Sequence, residues 1–324
     1  MKKRLLSIFL SALVLSVAAQ GQKIVFEAPQ VYPEGVAFDP QTKLFYVSSV
    51  TTGTIGTVDQ AGKYTVFYKD KTLKSSFGMK IDTRRNRLWV CTGDPNYSQY
   101  SSAATFRKKA TLIVLDLSSG KRMATVDLSA LYPGNHFTND LAFDEQGNLF
   151  ITDSYSPVIY KIDTRYQAMI FAKSDLFKSK DVGLNGIVYH PDGFLLVVNN
   201  SAGSIIKVDV RNPANPVKVE ITEFFPGADG LLLDKENNLI LIQNKGVNKV
   251  FQIESTDNWK TAGVVASTSV EDGFQNPTTA TSDTGNIFVL NSKMDELSDS
   301  TKNPSRVYSI QQAVFREAIS GDQP

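Results

Sequence analysis

Four residues of this chain carry oxygen-donor side chains at the same place in a recurring pattern. Glu34 stands in PEGVAFDP, Asn139 in TNDLAFDE, Asn185 in LNGIVYHP and Asp229 in ADGLLLDK. Each opens an apolar run that ends in a polar turn. Asp and Asn are poor strand formers. A single one is readily explained as a turn former that bonds its own backbone. Four in register call for another reason. If they converge, two carboxylates and two amides present oxygen only, which is the donor chemistry of a hard cation such as calcium.

What would make them converge is a repeat. The unit is an apolar strand, an acidic turn and a second apolar strand. It reads EGVAFDPQTKLFYVSS from Glu34, FGMKIDTRRNRLWVCT from Phe77, NDLAFDEQGNLFITDS from Asn139, NGIVYHPDGFLLVVNN from Asn185, DGLLLDKENNLILIQN from Asp229 and TTATSDTGNIFVLNS from Thr278. The six copies start 43, 62, 46, 44 and 49 residues apart. A third strand follows each pair, as in LIVLDL and VIYKID, and a fourth follows most, as in YTVFYK and QAMIFA. Four strands per unit at this period predict an all-β fold, a six-bladed β-propeller with four-stranded blades around a central channel. Period-2 alternation and β-branched content exclude a helical solenoid.

The sixth repeat lacks a clear fourth strand. KIVFEA, residues 23–28, precedes the first inner strand and has the right pattern to complete that blade. Ring closure of this kind hides strand edges. The C-terminal AVFREAI is the competing choice.

The chain begins MKKRLLSIFLSALVLSVAAQGQ. A basic start, a short apolar run and small residues beyond it read as a secretory signal over residues 1–21, cleaved after Ala18, Ala19 or Gly21. The expectation is an exported protein, periplasmic or extracellular, with residues 22–324 as one propeller domain acting as a monomer. Three of the 34 Lys and Arg lie in the signal, leaving 31 against 33 Asp and Glu, a net charge of −2. No basic field remains for nucleic acid, or for a membrane once the signal is gone. Cys91 is the only cysteine, so no intramolecular disulfide exists. Two histidines, His136 and His190, rule out a His-rich zinc or copper site.

In a propeller the first strand of each blade lines the channel. Glu34, Phe77, Asn139, Asn185, Asp229 and Thr278 are therefore expected to meet at one height. Carboxylates crowded there repel, and buried amides without partners are costly. One calcium ion, which takes roughly six to eight oxygens with water completing the shell, removes both problems. Strand direction puts three connections on the same face. These are the blade-2 loop GDPNYSQYSSAATFRKKA, the blade-6 loop SKMDELSDSTKNPS and the segment LSALYPGNHFTN before blade 3. Long loops at the mouth of a charged channel suggest a lidded site.

These motifs, in order and at blade spacing, resemble the regucalcin/gluconolactonase-like six-bladed propellers, relatives of paraoxonases and diisopropyl-fluorophosphatases. The resemblance covers essentially the whole mature chain. It implies one calcium on Glu34, Asn185 and Asp229, with Asn139 as a further ligand or a substrate contact. It also implies hydrolysis of lactones, other esters or organophosphates, with Asp229 as base or nucleophile. The chain departs from the pattern in more than one respect, and the paraoxonase-type catalytic His pair has no convincing match. Sugar-lactone members carry Arg two residues before the blade-3 Asn, where this chain has Phe137. With Phe77, Trp89 and the aromatic blade-2 loop, Phe137 points to a small-molecule lactone or ester less polar than a free sugar lactone. Phe77, Phe137, Asn139 and Thr278 are the expected substrate contacts.

His136, three residues before Asn139, is the second catalytic candidate, as a general acid or base that titrates near neutrality. Its alternative is a plain loop histidine. Asp140 either supports the metal ligands or caps the turn. His190 occupies the turn position held elsewhere by Asp39, Asp82, Asp144, Asp234 and Asp283 and reads as structural. Two functions follow. One is a calcium-dependent hydrolase of lactones or esters. The other is a non-catalytic binding propeller that uses calcium as a structural pin.

Overall fold

Alternation of buried and exposed side chains builds sheets here, and the tight acidic turns make the sheets antiparallel. The computed structural model describes residues 21–299 and 301–318. The expected signal segment lies, through residue 20, outside the described residues.

Six sheets form, each led by one of the six repeats. Their inner strands are Val36–Asp39, Ser75–Asp82, Thr138–Phe143, Leu184–His190, Ala228–Leu233 and Pro277–Asp283. Each inner strand contacts the next, and the sixth contacts the first. The result is the expected six-bladed β-propeller. Five sheets have four strands and the blade-5 sheet has five.

Closure follows the N-terminal alternative. Lys23–Glu27 pairs antiparallel with Val307–Gln312, Lys23 opposite Gln311 and Glu27 opposite Val307. Ile24 and Phe26 point inward and are buried, while Val25 between them is exposed. AVFREAI does not compete for that edge. Its residues Arg316–Glu317 extend blade 5 instead, pairing with Ser267 and Ala266.

The core lies between neighbouring blades. Phe45 of blade 1 meets Phe288 of blade 6 with ring centroids 5.4 Å apart. Phe150 of blade 3 stacks parallel to Tyr189 of blade 4 at 6.4 Å. The turn aspartates accept hydrogen bonds from the backbone amides that follow them. Asp144, for example, accepts from the amides of Gln146 (3.0 Å) and Asn148 (2.8 Å). His190 takes that position in blade 4, accepting from the Asp192 amide and stacking on Phe194.

One irregularity matters for the site. In blades 2 to 6 the register between the first two strands shifts across the same interval, between residues 76 and 79, 138 and 141, 184 and 187, 228 and 231, and 277 and 280. Phe77, Asn139, Asn185, Asp229 and Thr278 all fall inside it. A bulge re-aims a side chain that a regular strand would send into the blade.

Candidate metal and active site at the channel mouth

The residue after each channel residue explains how closely the six approach. Blades 1, 2, 4 and 5 have glycine there: Gly35, Gly78, Gly186 and Gly230. A Cβ on Gly186 would stand 2.3 Å from the Asp229 carbonyl oxygen, and one on Gly78 would stand 2.6 Å from that of Asn139. Only glycine permits the backbones of adjacent blades to touch in this way. Between blades 6 and 1 the Thr278 hydroxyl donates to the Glu34 carbonyl at 2.8 Å.

Glu34, Asn139, Asn185, Asp229 and Thr278 line one cavity of about 500 Å³. All five are buried from bulk solvent. Tyr97 from the blade-2 loop and Met294, Asp295 and Ser298 from the blade-6 loop also line it. Both long loops therefore reach the mouth. The blade-2 loop is organised by buried Asp94, whose carboxylate accepts from the amides of Asn96 and Ser102 and from the hydroxyls of Ser101 and Thr105.

The donors are oriented. Asn139 Nδ2 donates to Ser154 Oγ at 3.0 Å, and Ser154 donates its own hydrogen to the Leu184 carbonyl at 2.6 Å. The amide nitrogen is thereby occupied and Asn139 Oδ1 is left over. Asn244 Nδ2 donates to Asp229 Oδ2 at 2.5 Å. Among the described residues, the buried oxygens without a hydrogen-bond partner include Glu34 Oε2, Asn139 Oδ1 and Asp140 Oδ2. Unpartnered buried acceptors cost free energy that a cation would recover. Among the described residues no three His, Cys, Asp or Glu side chains group as metal ligands. The set is instead two carboxylates with amides, the oxygen chemistry that suits calcium.

Burial raises Glu34 well above the ordinary carboxylate range, and the charges of Asp229 and Asp140 raise it further. Burial pushes Asp229 up to about 7, against the lowering effect of Asn244, with Asp140 adding to the rise and Asn185 opposing it. Asp140 is itself raised by burial, countered first by Lys80. Its Oδ1 accepts from the Leu141 amide at 2.8 Å. Tyr97 is pushed up to about 12 by burial and then by neighbours that include Tyr155, Asp181, Asp229 and Glu34. Its hydroxyl therefore keeps its proton at neutral pH.

Three expected participants are placed elsewhere. His136 is buried but is not among the lining residues. Its Nδ1 lies 2.8 Å from Asp153 Oδ2, which also accepts from the Tyr160 hydroxyl at 3.2 Å. Burial lowers its affinity for a proton. The Asp153 hydrogen bond and charge, with the backbone around Tyr132 and Ser129, outweigh burial and raise it. Phe77 does not reach the cavity either, because Phe137 covers it with ring centroids 4.5 Å apart. Phe137 does line the cavity. Trp89 faces between blades, stacked on Tyr166 at 5.4 Å.

The residues that sequence reading passed over share a signal. Every second strand ends in two small or polar residues: Ser48-Ser49, Thr92-Gly93, Asp153-Ser154, Asn199-Asn200, Gln243-Asn244 and Asn291-Ser292. The first of each pair is buried and most tie a loop to the sheet, as when Gln243 donates to the Pro226 carbonyl at 2.9 Å. The second supplies Ser154 and Asn244, which hold Asn139 and Asp229, and Asn200, which lines the cavity.

Comparison with known proteins places this fold. No curated protein matches the chain. Solved structures do. The allergen Mala s 1 of Malassezia sympodialis superposes with a TM-score of 0.72 at 16% identity, over 92% of this chain and 97% of that one. A luciferin-regenerating enzyme gives 0.60 at 16% identity, over 93% and 96%. A streptogramin B lyase gives 0.54 at 11% identity, over 90% and 97%. At these identities the likeness is one of fold. The family model described as the SMP-30/gluconolactonase/LRE-like region matches residues 32–261, from ahead of Glu34 to the outer part of blade 5. The chain belongs to the SMP-30/gluconolactonase/LRE-like family.

Proposed function

We propose that this propeller is an exported, calcium-dependent hydrolase of small lactones or other esters. The observation that carries the reading is the set of unpartnered oxygens, Glu34 Oε2 and Asn139 Oδ1, beside Asp229 at the floor of one cavity. Glu34, Asn139, Asn185 and Asp229 would hold the ion. When bound, calcium supplies Lewis acidity toward a substrate carbonyl and keeps the two carboxylates ionised.

The chain's own residues do the rest. Phe137, Val182, Met294 and Tyr97 give the cavity an apolar wall against which the acyl part of the substrate would pack. Asn139 positions the substrate oxygen. Asp229 takes the proton of the attacking water and returns it to the departing oxygen, so that ester and water give acid and alcohol. Asn244 aims the Asp229 carboxylate through its 2.5 Å hydrogen bond. Tyr97, protonated at neutral pH, offers a donor above the site.

Asp229→Asn tests the reading. It keeps the shape and removes the base, so activity should fall by about 10² or more with the fold retained by circular dichroism. Undiminished hydrolysis would remove this mechanism.

A further inference from the structure

A second cavity of about 350 Å³ lies beside the first, between blades 5 and 6. Asn244, Asn276 and Asp295 line both, so the two form one elongated cleft with those residues at its waist. Their characters differ. The first is walled in part by apolar side chains. In the second, among the described residues, Phe274 is the one apolar side chain and the others are amides or charged groups.

The charges there are matched. Lys302 pairs with Asp295 at 3.1 Å. Glu296 accepts from the Tyr32 hydroxyl (3.1 Å) and the Ser305 hydroxyl (2.9 Å). Lys293 donates to the Val307 carbonyl at 2.8 Å. Two cations thus balance two carboxylates, and the cavity offers no net attraction to an ionised ligand. The carboxamides of Asn248 and Gln275 make no hydrogen bond among the described residues, and Asn244 has its nitrogen on Asp229 but its oxygen to spare.

We propose that this cavity binds a neutral, polyhydroxylated arm of the substrate. A carboxamide presents a donor and an acceptor side by side, which matches a pair of adjacent hydroxyls. An apolar arm would strip water from these amides and return nothing. The inference rests on the hydrolase reading and specifies its substrate. The acyl part lies against Phe137 and Val182, the carbonyl lies over Asp229, and the alcohol is a polyol or glycoside reaching past Asn244.

The test compares the octanoyl ester of methyl glucoside with ethyl octanoate, and measures binding of methyl glucoside itself to the calcium-loaded protein. Asn248→Trp fills the cavity and Gln275→Ala removes an amide, and both residues are exposed and outside the reacting centre. The sugar ester should be favoured about tenfold or more in kcat/KM, the scale of one or two net hydrogen bonds. Either variant should raise its KM by a similar factor, leave its kcat unchanged and leave ethyl octanoate unaffected. Methyl glucoside should bind the wild type and not Asn248→Trp. Equal turnover of both esters without glucoside binding would overturn the proposal, as would variants that slow both esters alike. If neither ester is cleaved yet methyl glucoside binds the wild type alone, the subsite stands and the hydrolase reading falls. Neither cleavage nor binding overturns both.

Discussion

Ser154 and Asn139 face each other at 3.0 Å across the first two strands of blade 3, the hydroxyl accepting from the amide. Because Ser154 spends its own hydrogen on Leu184, Asn139 has one orientation, oxygen toward the channel. Ser154→Ala removes that constraint without touching a ligand. Calcium affinity by calorimetry should fall about tenfold or more, the usual effect of losing a group that orients a ligand. Unchanged affinity would show that Asn139 needs no such support.

Gly186 is where blades 4 and 5 touch. A Cβ there would meet the Asp229 oxygen at 2.3 Å and the Leu231 nitrogen at 2.6 Å, both backbone atoms that cannot swing aside. Gly186→Ala should destabilise the protein by about 1–3 kcal/mol in urea unfolding, the range for overpacking, and weaken calcium binding by moving Asp229. A wild-type urea midpoint would contradict the close approach.

On the proposed function, protons and calcium would compete for the same oxygens. Without the ion, Glu34 and Asp229 are held above the ordinary carboxylate range, Asp229 at about 7. A bound calcium would displace those protons. Its affinity should fall as pH drops below about 7, with protons released to buffer on binding. Ion-free stability should run the other way. A carboxyl whose folded pKa lies above its unfolded value binds more protons when folded. These two groups therefore make the ion-free fold lose stability as pH rises from the unfolded value, about 4, toward about 7. Saturating calcium should abolish that loss. Thermal melts at pH 5 and pH 8, with and without chelator, measure it, and an ion-free melting temperature that rises over this range would contradict it.

The first ring of residues was legible because period and register expose it. Glu34, Asn139, Asn185 and Asp229 break the apolar pattern at the same point of each repeat, and a closed ring brings such points together. Gly35, Gly78, Gly186 and Gly230 were equally visible, yet their role depends on how near the adjacent blade comes, which no single repeat states. His136 was misleading in a different way. Its distance from Asn139 along the chain fits a mouth position, but the side chain turns inward to Asp153, a partner 17 residues away. Phe77 shares the register of the channel residues and is roofed by Phe137, a loop residue whose direction alternation does not set. Ser154 and Asn244 escaped because polar residues at strand ends are ordinary turn formers. Only their hydrogen bonds to Asn139 and Asp229 set them apart.

Turnover of a panel of lactones and aryl esters, measured with calcium and again after chelation, tests the account most directly. The account predicts hydrolysis of at least one compound by the calcium-loaded protein, its loss on chelation and its return when calcium is restored. Hydrolysis indifferent to chelator, or no hydrolysis anywhere on the panel by calcium-loaded protein, would contradict it.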